Sequence, residues 1–515
     1  MKTTFTLFRR PLVAGLGLLL LVGNLPGAHA QQRNPPAQPP AGSIQAPTPS
    51  GPWTLQAAVD YALANNLDVK QARLSAQALD ATLLQSRAAL LPTANLSGTQ
   101  AWNYGTNVNP LTFTFQSQTT RTNNFSAVSQ VTLFSGFQLR NTVKRSVLNY
   151  QAALSDIEKA RNDLALNVAS VYLQALLAQE LVRTNQVRVS STQQQVERTQ
   201  VLLKAGSVAE SNLLDLQAQL ATDQYNVITA QNQETIARLQ LAQLMNLDEA
   251  GLEGLQIVMP SLPDPDEQSL ADASPASVYE TAQARLPEIK AADLRVQSAL
   301  RNVEVARGAY YPRLTFAASA FTGYSSVYTR PIITGDSITI PLPVFQLDPL
   351  NPLVNPQPTP YAVLTTQPVR AQESSSFGSQ LKNNLGRSLQ FNLQIPILNG
   401  LQVRTNVQRT QIAVQQAEVQ AEQARLVLRQ SIQQAYADAL AAQRQYIASR
   451  QQVEALTLSY RNSEIRFNNG LLNGTEFNIA KNNLTAAESS MIQAKYSFIF
   501  RRKVLDFYQG KSIEL

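Results

Sequence analysis

Imidazole and thiol groups carry much of the nucleophilic, acid–base and metal chemistry of proteins, and this chain is nearly devoid of both. It has no cysteine, and His29 is its single histidine. His29 lies in a segment, 1–30, that reads as a signal peptide. Lys2, Arg9 and Arg10 form its positive start, Leu12 to Val22 its apolar core, and Ala28-His29-Ala30 a small-x-small cleavage site. Cleavage there leaves 485 of the 515 residues, with neither side chain among them. A Ser-His-Asp or Cys-His centre, a Cys/His zinc site and a His- or Cys-ligated haem are thereby excluded. Hydrolysis by carboxylates alone would need a matched Asp/Glu pair, and none is recognisable. The expectation is a protein that is not an enzyme and takes no metal or cofactor.

The charge balance narrows the partners. The mature chain would hold 39 Lys and Arg against 35 Asp and Glu, too mild an excess to point to nucleic acid. Without cysteine there is no disulfide and no lipidated N-terminal thiol. Beyond Val22 no stretch approaches the ~20 apolar residues of a spanning helix, so membrane contact is expected through strands.

Residues 31–52 form a Pro/Gln-rich leader. The remainder reads as one plan written twice, repeat 1 over 53–247 and repeat 2 over 278–510, with 248–277 between them and a tail at 511–515. Residues 64–92 align without a gap to 284–312, sharing Lys70/Lys290, Leu74/Leu294, Arg87/Arg307 and Pro92/Pro312. QVTLFSGFQLRNTV (130–143) matches QIPILNGLQVRTNV (394–407). The offset between copies grows from 220 to 264 residues between these blocks, which places an insertion in 325–387. Nine prolines in 331–368 argue against a ladder or a helix there. The segment reads as a long loop, either a lid or partner epitope or a tolerated surface insertion.

Heptad spacing defines the helices. Leu164, Val168, Val171, Ala175, Ala178 and Val182 alternate steps of four and three, as do Leu428, Ile432, Ala435, Ala439 and Ala442. Long helices are expected over 141–204 and 401–469, each ending at a glycine, Gly206 or Gly470, suited to a left-handed cap. Helices over 208–246 and 475–508 then return as antiparallel hairpins. Before each long helix the period falls to two, most clearly through Leu389, Phe391, Leu393, Ile395 and Ile397. Strand pairs are expected over 93–134 and 313–398. Trp102, Tyr104 and Tyr324 fit the aromatic girdle of an outer-membrane barrel. Four strands cannot close such a barrel and open edges are prohibitive in lipid, so either the sheet is soluble or two or three chains share a barrel of eight or twelve strands.

The chain resembles the outer membrane efflux protein family, the TolC-like trimeric channel-tunnels, from Trp53 to about Gln509. The resemblance is carried by TLQAAVDYALANNLDVK, the proline-led strand starts, the turns LFSGFQLR and ILNGLQVR, and the tips KAGSVAESNLLDLQAQL and NNGLLNGTEFNIAKNNL. It implies a mainly α fold with β. Long helical hairpins build an α-barrel in the periplasm, and four strands per chain join a shared 12-stranded transmembrane β-barrel in outer-membrane lipid. It further implies a homotrimer with an equatorial inter-repeat segment, docking to a periplasmic adaptor and an inner-membrane pump as a passive export conduit. By the same resemblance, Glu476 and Asp215 correspond to acidic positions at the channel entrance. Glu476 equally suits the first turn of a helix. Gly206, Gly470, Leu471 and Leu472 mark the hairpin tips, the leucines being either adaptor contacts or packed between hairpins. The family's polar latch positions are Phe467 and Leu472 here, so closure is expected to rest on apolar packing. The rival reading is a structural or adhesive coiled-coil protein of the cell surface, which duplicated strand pairs and returning helices disfavour.

Overall fold

The computed structural model describes residues 52–108, 115–260, 274–346, 357–469 and 471–511. The signal peptide, nearly all of the leader, Gly470 and residues 512–515 lie outside the described residues. Pro49–Leu515 forms one compact unit.

The duplication is visible element by element. Repeat 1 runs α1 (Leu55–Asn65), α2 (Leu67–Ala88), β1 (Thr93–Val108), β2 (Phe115–Ser135), α3 (Gln138–Lys204) and α4 (Glu210–Met245). After a short α5 (Glu249–Glu253), repeat 2 runs α6 (Pro275–Arg285), α7 (Pro287–Arg307), β3 (Arg313–Ser325), β4 (Thr329–Gln346), β5 (Gln357–Ser374), α8 (Phe377–Asn383), β6 (Gly386–Gln394), α9 (Gln402–Asn468) and α10 (Gly474–Tyr508). Asn66 divides α1 from α2, its side chain accepting from the backbone N–H of Asp68 at 2.8 Å. The long helices α3 and α9 have 67 residues each, roughly 100 Å at the α-helical rise.

β1, β2, β3 and β6 form one antiparallel sheet in that order, so β1 and β6 are unpaired edges within the chain. Thr93 pairs with Gln130, and Arg313 with both Ser135 and Gln394, which gathers all four strand–helix junctions at one end of the sheet. Each return from strand to helix uses two consecutive left-handed residues, Gly136-Phe137 and Gly400-Leu401. A side chain at residue 136 would place its Cβ 2.2 Å from the carbonyl oxygen of Gly308.

Three expectations are corrected. The proline-rich insertion is not a loop: β4 and β5 pair as a two-stranded ribbon, with bulges after Ile333 and Pro343. A two-stranded ribbon tolerates prolines because half of its N–H groups face away from the ladder and need no partner strand. Helix α8 then closes over the end of β3. The Gln380 side chain, 2% exposed, donates to the carbonyls of Ser325 and Ser375 and accepts from Ser325 N–H. Second, β6 ends at Gln394, so the alternation through Ile395 and Ile397 overruns the strand; Pro396 interrupts it. Third, α3 does contain an 18-residue stretch apolar enough to cross a membrane, 44% of it buried. Its apolar residues include the interhelical seam, where Leu164, Val168, Ala175, Ala178 and Val182 are buried as the heptads predicted.

The seam of α9 follows the same rule: Leu428, Ile432, Ala439, Ala442 and Tyr446 are buried. Midway along α3, Tyr172 pins the start of the first repeat to the inter-repeat segment. Its hydroxyl donates toward the carbonyls of Trp53 (3.0 Å) and Val258 (2.9 Å), flanking the Trp53–Ile257 bridge.

Candidate functional site: the hairpin ends

Each hairpin is closed by local chemistry. At the end of α3, Gly206 takes φ +70° and the N–H of Ser207 returns to the carbonyl of Leu202 at 2.9 Å, the glycine-ended cap expected from the sequence. At the other hairpin, Leu471 N–H reaches the carbonyl of Arg466 at 2.8 Å. Asn473 caps α10, accepting from Glu476 N–H at 2.8 Å. Glu476 therefore sits in the first turn, where the helix dipole favours a carboxylate; it is exposed and outside every ion pair among the described residues.

The two ends meet within one chain. Thr475 Oγ1 donates to Asp215 Oδ2 at 3.4 Å, and a Cβ on Gly474 would lie 3.2 Å from that same oxygen. Asp215 is half-buried at this contact. Behind it Val196, Leu216 and Phe477 form a core with Leu213, Leu220, Tyr460, Phe467 and Leu472. The Phe467 and Phe477 rings stack at 4.6 Å. The two tip leucines thus part company: Leu472 packs in its own chain's core, while Leu471 is 69% exposed. Trp102 and Tyr104 are exposed on one face of β1, and Tyr324 is half-buried beside Phe377 of α8, with ring centroids 5.1 Å apart.

Further along the hairpins lies a buried polar layer that sequence reasoning missed. Lys481 of α10, Thr192 of α3 and Asp223 of α4 are all at most 5% exposed. The Lys481 ammonium donates to the Thr192 hydroxyl, which lies against Asp223 Oδ2, and Lys481 Nζ stands 3.7 Å from that oxygen. Gln219 donates to Asp223 Oδ1 at 2.9 Å and exchanges amide hydrogen bonds of 3.2 Å with Asn482. Nearby, Arg188 faces Glu488 at 3.7 Å. Burial pulls the Lys481 and Arg188 pKa values below their ordinary ranges, with Asp223 opposing the shift in both. A signal was present. Phe477, Lys481 and Leu484, like Leu216, Leu220 and Asp223, follow heptad spacing, so two charges occupy seam positions.

No group of His, Cys, Asp and Glu among the described residues has metal-site geometry. The arrangement is one of packed helices with carboxylates at the hairpin ends.

The family model described as "Outer membrane efflux protein" matches residues 58–247 and 364–510. The pyoverdine export outer membrane protein OpmQ of Pseudomonas putida is 25% identical over 214 residues, 41% of this chain and 44% of that protein. The chain thus spans less than half the length of this curated relative. Two solved structures share the fold. The Campylobacter jejuni CmeC outer membrane channel has a TM-score of 0.69 at 16% identity, covering 89% of this chain and 87% of the other. The outer membrane protein VceC of Vibrio cholerae has a TM-score of 0.67 at 14% identity, covering 89% and 97%.

Proposed function

The chain belongs to the outer membrane efflux protein family, and on that premise we propose that it is a passive export conduit, the outer-membrane component of a tripartite efflux or secretion system. Three copies share one barrel of twelve strands, and their helical hairpins run into the periplasm toward an adaptor protein and an inner-membrane pump. The observation that carries this reading is the four-stranded sheet whose edges, β1 and β6, are unpaired and whose four helix junctions lie at one end. Open edges are not viable in lipid, and closure by identical copies satisfies both at once. Twelve strands fall within the range of outer-membrane barrels. The energy for transport then belongs to the pump, and the conduit supplies passage and selectivity.

Glu476 is proposed as the acidic group of the entrance, alongside its place in the first turn of α10, with Asp215 behind it. Leu471 is proposed as the exposed contact for the adaptor. Trp102 and Tyr104 are proposed as girdle residues against outer-membrane lipid. The test is single-channel conductance of the purified protein in planar bilayers, wild type against Glu476→Ala. Cation-preferring steps are expected, with selectivity reduced in the variant. Steps indifferent to the substitution would leave Glu476 as a cap alone. Absence of steps in both proteins would count against the conduit.

A further inference from the structure

The four junctions between strands and helices are rich in cations and nearly free of acids. Segments 81–98, 128–155, 299–318 and 390–417 together hold nine Lys and Arg but one carboxylate, Glu304. The strand register brings these segments to one end of the sheet. Arg87, Arg140, Lys144, Arg313, Arg404 and Arg409 are exposed there and outside every ion pair among the described residues.

Two of them stand where folding alone disfavours a cation. Arg140 and Arg404 are the third residues of α3 and α9, whose first turns contain no acid. The partial positive charge of a helix N-terminus repels a cation in that turn. An anion placed at the belt would relieve this repulsion and accept from the guanidinium groups together. Each junction also exposes a large apolar or aromatic side chain: Leu91 (64%), Phe137 (53%), Tyr311 (56%) and Leu398 (94%). Cations beside exposed apolar and aromatic groups match the headgroup level of a bilayer, where charge meets phosphate and rings meet the acyl boundary.

We propose that this belt binds the headgroups of anionic phospholipids in the periplasmic leaflet of the outer membrane, fixing the depth at which the protein sits. The inference rests on the reading of the sheet as membrane-spanning. Phospholipid is the favoured source of the phosphate because apolar contacts accompany the cations at every junction.

The test uses the detergent-purified protein in mixed micelles, with competition between fluorescent phosphatidylglycerol and unlabelled phosphatidylglycerol or phosphatidylcholine. Wild type is expected to prefer phosphatidylglycerol. The Arg140→Gln/Arg313→Gln/Arg404→Gln variant is expected to lose about fivefold of that preference for each cation removed, about a hundredfold in all. It should remain trimeric in phosphatidylcholine. Equal affinity for the two lipids, or a preference that the variant retains, would overturn the proposal. Displacement of the label by inorganic phosphate at constant ionic strength would reassign the belt to soluble anions and overturn the lipid assignment. Trimers that show no lipid preference would sink this proposal alone, whereas absence of trimers in either lipid would sink the shared barrel and this proposal with it.

Discussion

Lys481 and Asp223 illustrate how a single buried pair sets both stability and its pH dependence. Removing one partner leaves the other charge buried and uncompensated, which typically costs about 3–5 kcal/mol, whereas apolar replacement of both is often neutral. Lys481→Met is therefore expected to destabilise the protein strongly, and Lys481→Met/Asp223→Leu to recover most of the loss, as read from thermal unfolding in a double-mutant cycle. The pH sign follows from the Lys481 pKa, which burial holds below the ordinary lysine value. Between that lowered value and ~10.4 the unfolded chain binds more protons, so the Lys481 contribution to stability rises with pH across the window. The Lys481→Met variant should lack that rise. The heptads made the seam around these residues legible. Its polar layer was not: the periods of α4 and α10 put Asp223 and Lys481 at seam positions, but nothing in either period shows that these two distant residues meet each other and Thr192.

At the level of elements, the backbone turn from β2 into α3 depends on the absence of a side chain. Gly136 combines φ +60° with a space already filled by the Gly308 carbonyl. Gly136→Ala is expected to cost about 2–4 kcal/mol, measured as a lowered midpoint of heat-induced unfolding. Gly400 has the same conformation with nothing within 4 Å of an added Cβ, so Gly400→Ala should cost less. The hairpin helices α3, α4, α9 and α10 and the strands of the four-stranded sheet were legible to within a few residues, since periods of 3.5 and 2 repeat over long stretches in both copies. The β4–β5 ribbon was not. Its prolines read as strand breakers, and only the pairing of Pro341 with Leu364 and of Pro343 with Ala362 reveals a ladder that does without their N–H groups. Helix α8 was missed for a related reason: seven residues are too few to establish a period.

For the whole molecule, the unresolved choice in the sequence was the number of copies sharing a barrel. The proposed conduit has three, and the mass of the detergent-solubilised particle is the direct measure. Sedimentation analysis is expected to give three mature chains per particle, dissociating to one on heating in dodecyl sulfate. Two per particle would mean eight strands and would require a redrawn helical assembly. The hairpin ends were legible as places, through Gly206 and the family motif. Their internal contacts were not: Asp215 against Thr475 joins the two copies, and the stacking of Phe467 on Phe477 joins α9 to α10 across the hairpin, and neither leaves a period in the sequence.

The ribbon's prolines bear on a hazard outside the folded state. On the proposed reading the chain crosses the periplasm before its barrel closes, and a long ribbon with exposed Ile338, Leu342, Val363 and Leu364 is a ready template for stray strands. Pro341, Pro343, Pro360 and Pro368 deny such strands a continuous row of donors along either margin. The insertion can thus lengthen the protein at one end of its sheet while offering newcomers in a crowded compartment little to zip onto, an insulation written into the strand itself.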